Sequence, residues 1–139
     1  MKHQLFLSLP VNNLRKSINY FTKIGYSFNP QFTDKNATCM IVDEKNSIYV
    51  MLLVKKFFKT FTDKTIVDAK RSAQMQIGLS VDSRAKVNAW ANKAIKAGGK
   101  QVSKSNQEYM YSRDIEDLDG HVWGIFYMDM KKFPKPKKK

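Results

Sequence analysis

Apolar residues crowd positions 5 to 11, Leu5-Phe6-Leu7-Ser8-Leu9-Pro10-Val11, with only loose alternation, which predicts a mostly buried strand. The period then lengthens. Leu14, Ile18, Phe21 and Ile24 recur at helical spacing over residues 13–24, with Asn12 or Asn13 as N-cap and Gly25 at the stop. Residues 38–42 and 48–54 follow as a hairpin turned by Asp43-Glu44-Lys45-Asn46.

The same order returns 70 residues later. Leu79-Ser80-Val81-Asp82-Ser83 stands where Leu9-Pro10-Val11-Asn12-Asn13 stood, and Lys16, Tyr20 and Lys23 become Lys86, Trp90 and Lys93. A second helix over residues 84–97 is expected to bury Val87, Trp90, Ala91, Ala94 and Ile95 and to stop at Gly98-Gly99. Residues 110–113 and 121–128 form the later hairpin around Asp117-Leu118-Asp119-Gly120, in which Gly120 supplies a positive φ. Between the copies, residues 55–74 carry Phe57, Phe58 and Phe61 and a helix-compatible stretch at 63–71. The expected architecture is α+β: two tandem βαβββ modules, at about 3–55 and 75–129 with a linker at 56–74, forming a curved mixed sheet with the helices outside. The trough of such a sheet is the natural pocket.

Charge changes this picture little. The chain of 139 residues has 25 Lys and Arg against 12 Asp and Glu, a formal net charge of +13. Six of the lysines lie in the last nine residues, Lys131-Lys132-Phe133-Pro134-Lys135-Pro136-Lys137-Lys138-Lys139, so the first 130 residues carry 19 basic groups and 12 acidic ones. A Lys/Pro segment of this kind is expected to be a disordered, solvated tail. Only Arg15, Arg71, Arg84 and Arg113 are arginines, too few for the bidentate base contacts of a sequence-specific nucleic-acid binder. The longest apolar run, residues 48–54, is far short of the ~20 residues of a membrane span. The N-terminus has no signal-peptide pattern, so a cytoplasmic location is expected. Cys39 is the one cysteine, which excludes an internal disulfide and suits a buried apolar position.

The residues themselves resemble a known superfamily. The opening Leu9-Pro10-Val11-Asn12-Asn13-Leu14-Arg15-Lys16-Ser17 with Tyr20-Phe21-Thr22-Lys23-Ile24-Gly25-Tyr26, and the closing Asp117-Leu118-Asp119-Gly120-His121-Val122-Trp123 with Ile125-Phe126-Tyr127-Met128-Asp129, are similar to the vicinal oxygen chelate proteins. That group includes glyoxalase I, the bleomycin and fosfomycin resistance proteins and the extradiol dioxygenases. The resemblance covers residues 4–129 and implies a glyoxalase-like fold and a homodimer. In the family's enzymes it implies a divalent metal held by two His or Gln and two Glu, one from the first and one from the last strand of each module. Carried onto this chain, those positions are Phe6, Val50, Gln76 and Gly124. A metal needs two or three oxygen or nitrogen donors from such a set, and here only Gln76 has one. No metal and no other cofactor is therefore expected.

Two functions follow. One is capture of a small organic ligand in the trough without a metal, as in the drug-sequestering resistance proteins. The alternative is a metal-dependent lyase, isomerase or dioxygenase with an unconventional ligand set. The candidate pocket residues are Phe6, Cys39, Val50, Met51, Gln76, Tyr111, Arg113, Trp123 and Gly124. Either Arg113 or Asp114 lies across the ladder from Gly124, depending on the bulge at Gly120. If it is Arg113, a guanidinium occupies space that the missing Glu leaves open and favours an anionic ligand. His121 and the acids Asp114, Glu116, Asp117 and Asp119 read as hairpin chemistry rather than a cation site.

Overall fold

The computed structural model describes residues 1–136; the lysines at 137–139, part of the segment expected to be disordered, lie outside the described residues. The chain divides into two compact units, Met1–Ser72 and Ala73–Lys139.

The first unit runs β1 (Leu5–Val11), α1 (Leu14–Ile24), β2 (Ser27–Asn29), β3 (Ala37–Asp43), β4 (Ile48–Val54) and a one-turn α2 (Lys55–Phe58). Its four strands form one sheet in the order β1-β4-β3-β2. The β1–β4 pair is parallel and the other pairs are antiparallel. The second unit runs β5 (Ile77–Ser80), α3 (Arg84–Lys96), β6 (Lys100–Asn106), β7 (Met110–Glu116) and β8 (Val122–Met128). Its sheet repeats the pattern as β5-β8-β7-β6, again with the first and last strands parallel. Both units are therefore βαβββ, as the sequence pattern predicts, and the edge strands β2 and β6 complete the count.

The repeated start and stop signals act on the backbone as expected. Asn13 Oδ1 accepts the Lys16 amide at 3.0 Å and Ser83 Oγ accepts the Lys86 amide at 3.1 Å, each satisfying an orphan donor of a helix's first turn. Gly25 and Gly98 leave the two helices at φ 125° and 118°, where a Cβ would be strained. Helix α1 buries Leu14, Ser17, Tyr20, Phe21 and Ile24. Helix α3 buries Val87, Ala91 and Ala94, small residues that let it lie close to the sheet. Ile95, expected in the core, is instead 39% exposed, one position round from the buried stripe.

The linker differs from expectation. Helix forms at its start, in α2 and a following 3-10 turn at Lys59–Phe61, and residues 63–71 are not helical. Asp68 explains part of this: its side chain accepts the Lys70 amide at 3.1 Å and its carbonyl accepts the amides of Arg71 and Ser72, which closes a turn instead of propagating a helix. At the other end, Phe133 packs edge-on against Tyr109 with ring centroids 4.9 Å apart, and the Lys132 amide bonds the Asp129 carbonyl at 3.1 Å, so the chain keeps a defined path just past β8.

Strand alternation gives each sheet two unlike faces. In the second unit, Tyr111 and Ile125 pack with Val87, Trp90 and Leu79 against α3, and Trp123, fully buried, lies 6.4 Å from Trp90. Their strand neighbours Ser112, Asp114, Gly124 and Phe126 point the other way.

Candidate functional site

On that other face of the second sheet lies an open cavity of about 320 Å3. It is lined by Gln76, Ile77 and Gly78 at β5, by Met110, Ser112 and Asp114 on β7, and by Gly124, Phe126 and Met128 on β8. The period of two along β7 and β8 produces this lining directly.

Two glycines make the floor. Gly78 and Gly124 are ladder partners on neighbouring parallel strands, so two adjacent positions lack side chains. A Cβ on Gly78 would meet Phe126 Cε1 at 3.5 Å, an ordinary contact. A Cβ on Gly124 would come within 2.7 Å of Asp114 Oδ1, so the carboxylate would have to move aside. Asp114 is the cross-strand partner of Gly124, and its carboxylate leans over the bare backbone. Glycine inside a strand weakens the strand and marks a close approach, and here it is Asp114 that approaches. Ser103 on β6 donates a hydrogen bond to Asp114 Oδ2 and so orients the group from the far side.

The ladder decides between the two cross-strand arrangements. Met110↔Met128 to Glu116↔Val122 pair without interruption, so Asp114, not Arg113, faces Gly124. The irregularities fall elsewhere, between Ile41 and Asp43 and between Gln101 and Ser103. Arg113 is turned to the helix side. Its Nε donates to Gln101 Oε1 at 2.6 Å, and one terminal nitrogen donates to Asn88 Oδ1 at 3.1 Å and Asn92 Oδ1 at 2.9 Å. Tyr111 is on the same side and donates its hydroxyl to Asn88 Oδ1 at 2.6 Å. This placement takes Arg113 away from the cavity, and with it one of the two arguments for an anionic ligand, the other being the net positive charge of the chain.

Of the nine residues expected around a pocket, the structure brings Gln76 and Gly124 into this cavity. Tyr111, Arg113 and Trp123 lie on the opposite face of the same sheet. Phe6, Cys39, Val50 and Met51 belong to the first unit. There Phe6 stacks on its ladder partner Tyr49 with centroids 4.9 Å apart, and Met51 pairs with Cys39. Cys39 is 3% exposed, and burial pushes its thiol up, away from nucleophilic use. Val50, 1% exposed, alternates with Met51 and so occupies the buried face of β4. Leu9 pairs with Leu52 as Leu79 pairs with Ile125, which makes Met51, not Val50, the counterpart of Gly124. The residues that sequence reading left out of the pocket are Ile77 and Gly78 and, on β7 and β8, Met110, Ser112, Asp114, Phe126 and Met128. Their signal was the alternation Met110-x-Ser112-x-Asp114 and Gly124-x-Phe126-x-Met128, once Trp123 is assigned to the buried side.

Corrected for register, the positions that the resemblance assigns to a metal read Phe6, Met51, Gln76 and Gly124. Gln76 alone offers an oxygen, and this donor set does not fit a divalent cation. Among the described residues no group of three His, Cys, Asp or Glu could hold a metal ion. The acids of the hairpin do turn chemistry: Asp117 Oδ1 accepts the amides of Asp119 and His121 at 2.9 and 3.0 Å, and Oδ2 accepts Trp123 Nε1 at 3.0 Å. Burial pushes the Asp117 carboxyl above its ordinary range, partly offset by His121 and by the Trp123 hydrogen bond.

By sequence, neither a family profile nor a curated protein matches the chain. By structure, it is similar to the hypothetical protein SA1046 from S. aureus, with 25% identity over 91% of this chain and 95% of that one and a TM-score of 0.76. A glyoxalase-related enzyme from Fulvimarina pelagi matches at 14% identity over 91% and 88% of the two chains, with a TM-score of 0.75. The fosfomycin resistance protein FosX from Mesorhizobium loti matches at 12% identity over 95% and 97%, with a TM-score of 0.66.

Proposed function

We propose, from the premise that this chain has the glyoxalase-like fold of the vicinal oxygen chelate superfamily, that it is a small-molecule-binding protein that captures an organic ligand on the glycine-floored face of its second sheet without a divalent metal centre. The observation that carries the reading is the Gly78–Gly124 pair. Where a metal-binding member would present a ligating side chain, this chain presents bare backbone, with Phe126, Met110 and Met128 as apolar walls and Gln76, Ser112 and Asp114 as the polar groups. That mixture of apolar surface with a few polar anchors is what a small-molecule site requires, and methionine adapts its shape to the guest.

The reading includes a homodimer, which the resemblance supports and which sedimentation at twice the chain mass would establish. It includes a cytoplasmic location, which suits the buried free thiol of Cys39. Among the described residues no helix is long and apolar enough to cross a membrane.

The test compares elemental analysis of purified protein with thermal shifts against divalent cations and against a panel of small organics. A ligand that binds only the native state raises the melting temperature as its concentration exceeds Kd. The expected result is a shift with one or more organics, none with Zn, Ni, Mn or Fe, and no stoichiometric metal. One tightly held divalent ion per chain would overturn the reading in favour of the metal-dependent enzyme.

A further inference from the structure

The cavity reading leaves open what kind of molecule enters, and the electrostatics of the lining address that question. Asp114 is the only charged residue among the nine that line the cavity. Its Oδ2 is engaged by Ser103, whereas Oδ1 stands over Gly124 with no hydrogen-bond or ion-pair partner among the described residues. The cations nearest in the strand ladder are turned away from it. Arg113 is held by Gln101, Asn88 and Asn92 on the helix side. Its ladder partner Lys104 shares that side, with Nζ 5.5 Å from the centre of the Tyr111 ring. The half-buried carboxylate therefore has one oxygen open to the cavity and, among the described residues, no ion-pair partner.

Such a group discriminates by charge. It repels a carboxylate or phosphate, accepts a hydrogen bond from a neutral donor, and does best with an ammonium group, where the hydrogen bond is charge-assisted. Below it the glycine floor admits the approach of a small head group. Phe126, Met110 and Met128 offer the surface for an apolar body, and Ser112 can accept a second hydrogen from the same head group.

We propose that the cavity takes an amphipathic primary amine, its ammonium on Asp114 Oδ1 and its apolar body on Phe126 and the two methionines. This rests on the proposed function and narrows it to one ligand class.

The experiment titrates full-length protein, observed by two-dimensional NMR, with three matched probes: 3-phenylpropylamine, 3-phenylpropan-1-ol and 3-phenylpropanoate. The expected order is amine, then alcohol, then carboxylate, with the amine about tenfold tighter than the alcohol, the scale of one hydrogen bond to a charged group. Asp114→Asn, nearly isosteric and still able to accept from Ser103, should erase the amine's advantage over the alcohol. Gly124→Ala should weaken all three probes, and retained near-ultraviolet circular dichroism would show that both variants are folded. The preference should shrink as salt is raised. Equal binding of amine and alcohol, tighter binding of the carboxylate, or an amine preference that survives Asp114→Asn would overturn the proposal and leave the cavity reading standing. Failure of all three probes to shift the resonances of Gly78, Gly124 and Phe126 would overturn both.

Discussion

Where the first half of the chain sets Ser8 beside Met51, and Cys39 across from Met51, the second half sets Gly78 beside Gly124, and Asp114 across from Gly124. Two residues along the same strand pairs, Leu53 opposes Ala37 in the first half and Phe126 opposes Ser112 in the second. The backbones repeat, down to the parallel pairing of first and last strands. The ladder positions that hold Ser8, Met51 and Cys39 in one copy hold two glycines and a carboxylate in the other. A duplicated frame thus separates two tasks: residues facing the helices hold each copy together, and those on the opposite face are free to differ.

Exchanging residues between the copies breaks or sharpens this contrast. The largest effect is expected from Cys39→Asp, which gives the first half the acid of the second. At 3% exposure the site has neither the open side nor the Ser103 donor that Asp114 enjoys. An uncompensated buried charge costs about 3–5 kcal/mol, which urea unfolding would read as a large drop in midpoint. Next is Trp123→Val, which installs the residue that the first half has at Val50. It removes a fully buried indole and leaves Asp117 Oδ2 without its donor, for a loss of about 3–5 kcal/mol by the same measurement. Gly124→Met copies Met51 into the cavity floor. Displacement of Asp114 should destabilise by about 1–3 kcal/mol, and the NMR shifts caused by the amine probe should vanish. If stability and binding are both unchanged, the floor is not where ligand sits.

The smallest effect compares the acids of the two hairpins. Hydrogen bonds from Asn46 hold Asp43 below its ordinary 3.8, so the stability it lends is present above that value and fades as pH falls through its folded-state pKa. Burial raises Asp117 above 3.8, so its contribution is present below that value and is lost as pH rises through its folded-state pKa. Melting temperature against pH should therefore lose a rising limb below about 4 in Asp43→Ala and a falling limb above about 4 in Asp117→Asn. Identical profiles in both variants would remove the distinction between the hairpins.

Much of the frame could be read from residues. Leu14, Ile18, Phe21 and Ile24, the caps at Asn13 and Ser83, and the stops at Gly25 and Gly98 are local signals, and local signals survive folding. The site was harder because it depends on register, and a one-residue slip sends every side chain of a strand to the opposite face. A uniform offset of 70 fits Leu9 to Leu79 but not the last strands, and aligning the two hairpin turns, which differ in geometry, gives Val50 as the counterpart of Gly124 in place of Met51. The choice between Arg113 and Asp114 turned on whether the β7–β8 pair carries a bulge near Gly120, and the uninterrupted ladder there is not announced by any turn residue. Trp123 reads as a pocket aromatic until its indole N–H is seen to be needed by Asp117.

The parallel pairing of β1 with β4, and of β5 with β8, also orders events in time. In each copy the first strand off the ribosome is the last to find its partner, because that partner is the final strand of the same copy. Until β4 is available the backbone of β1 has no partner strand, and the seven residues Ile48–Val54 supply one along one side. A chain that lacks residues 48–54 therefore cannot close its first sheet, whatever else of it has formed.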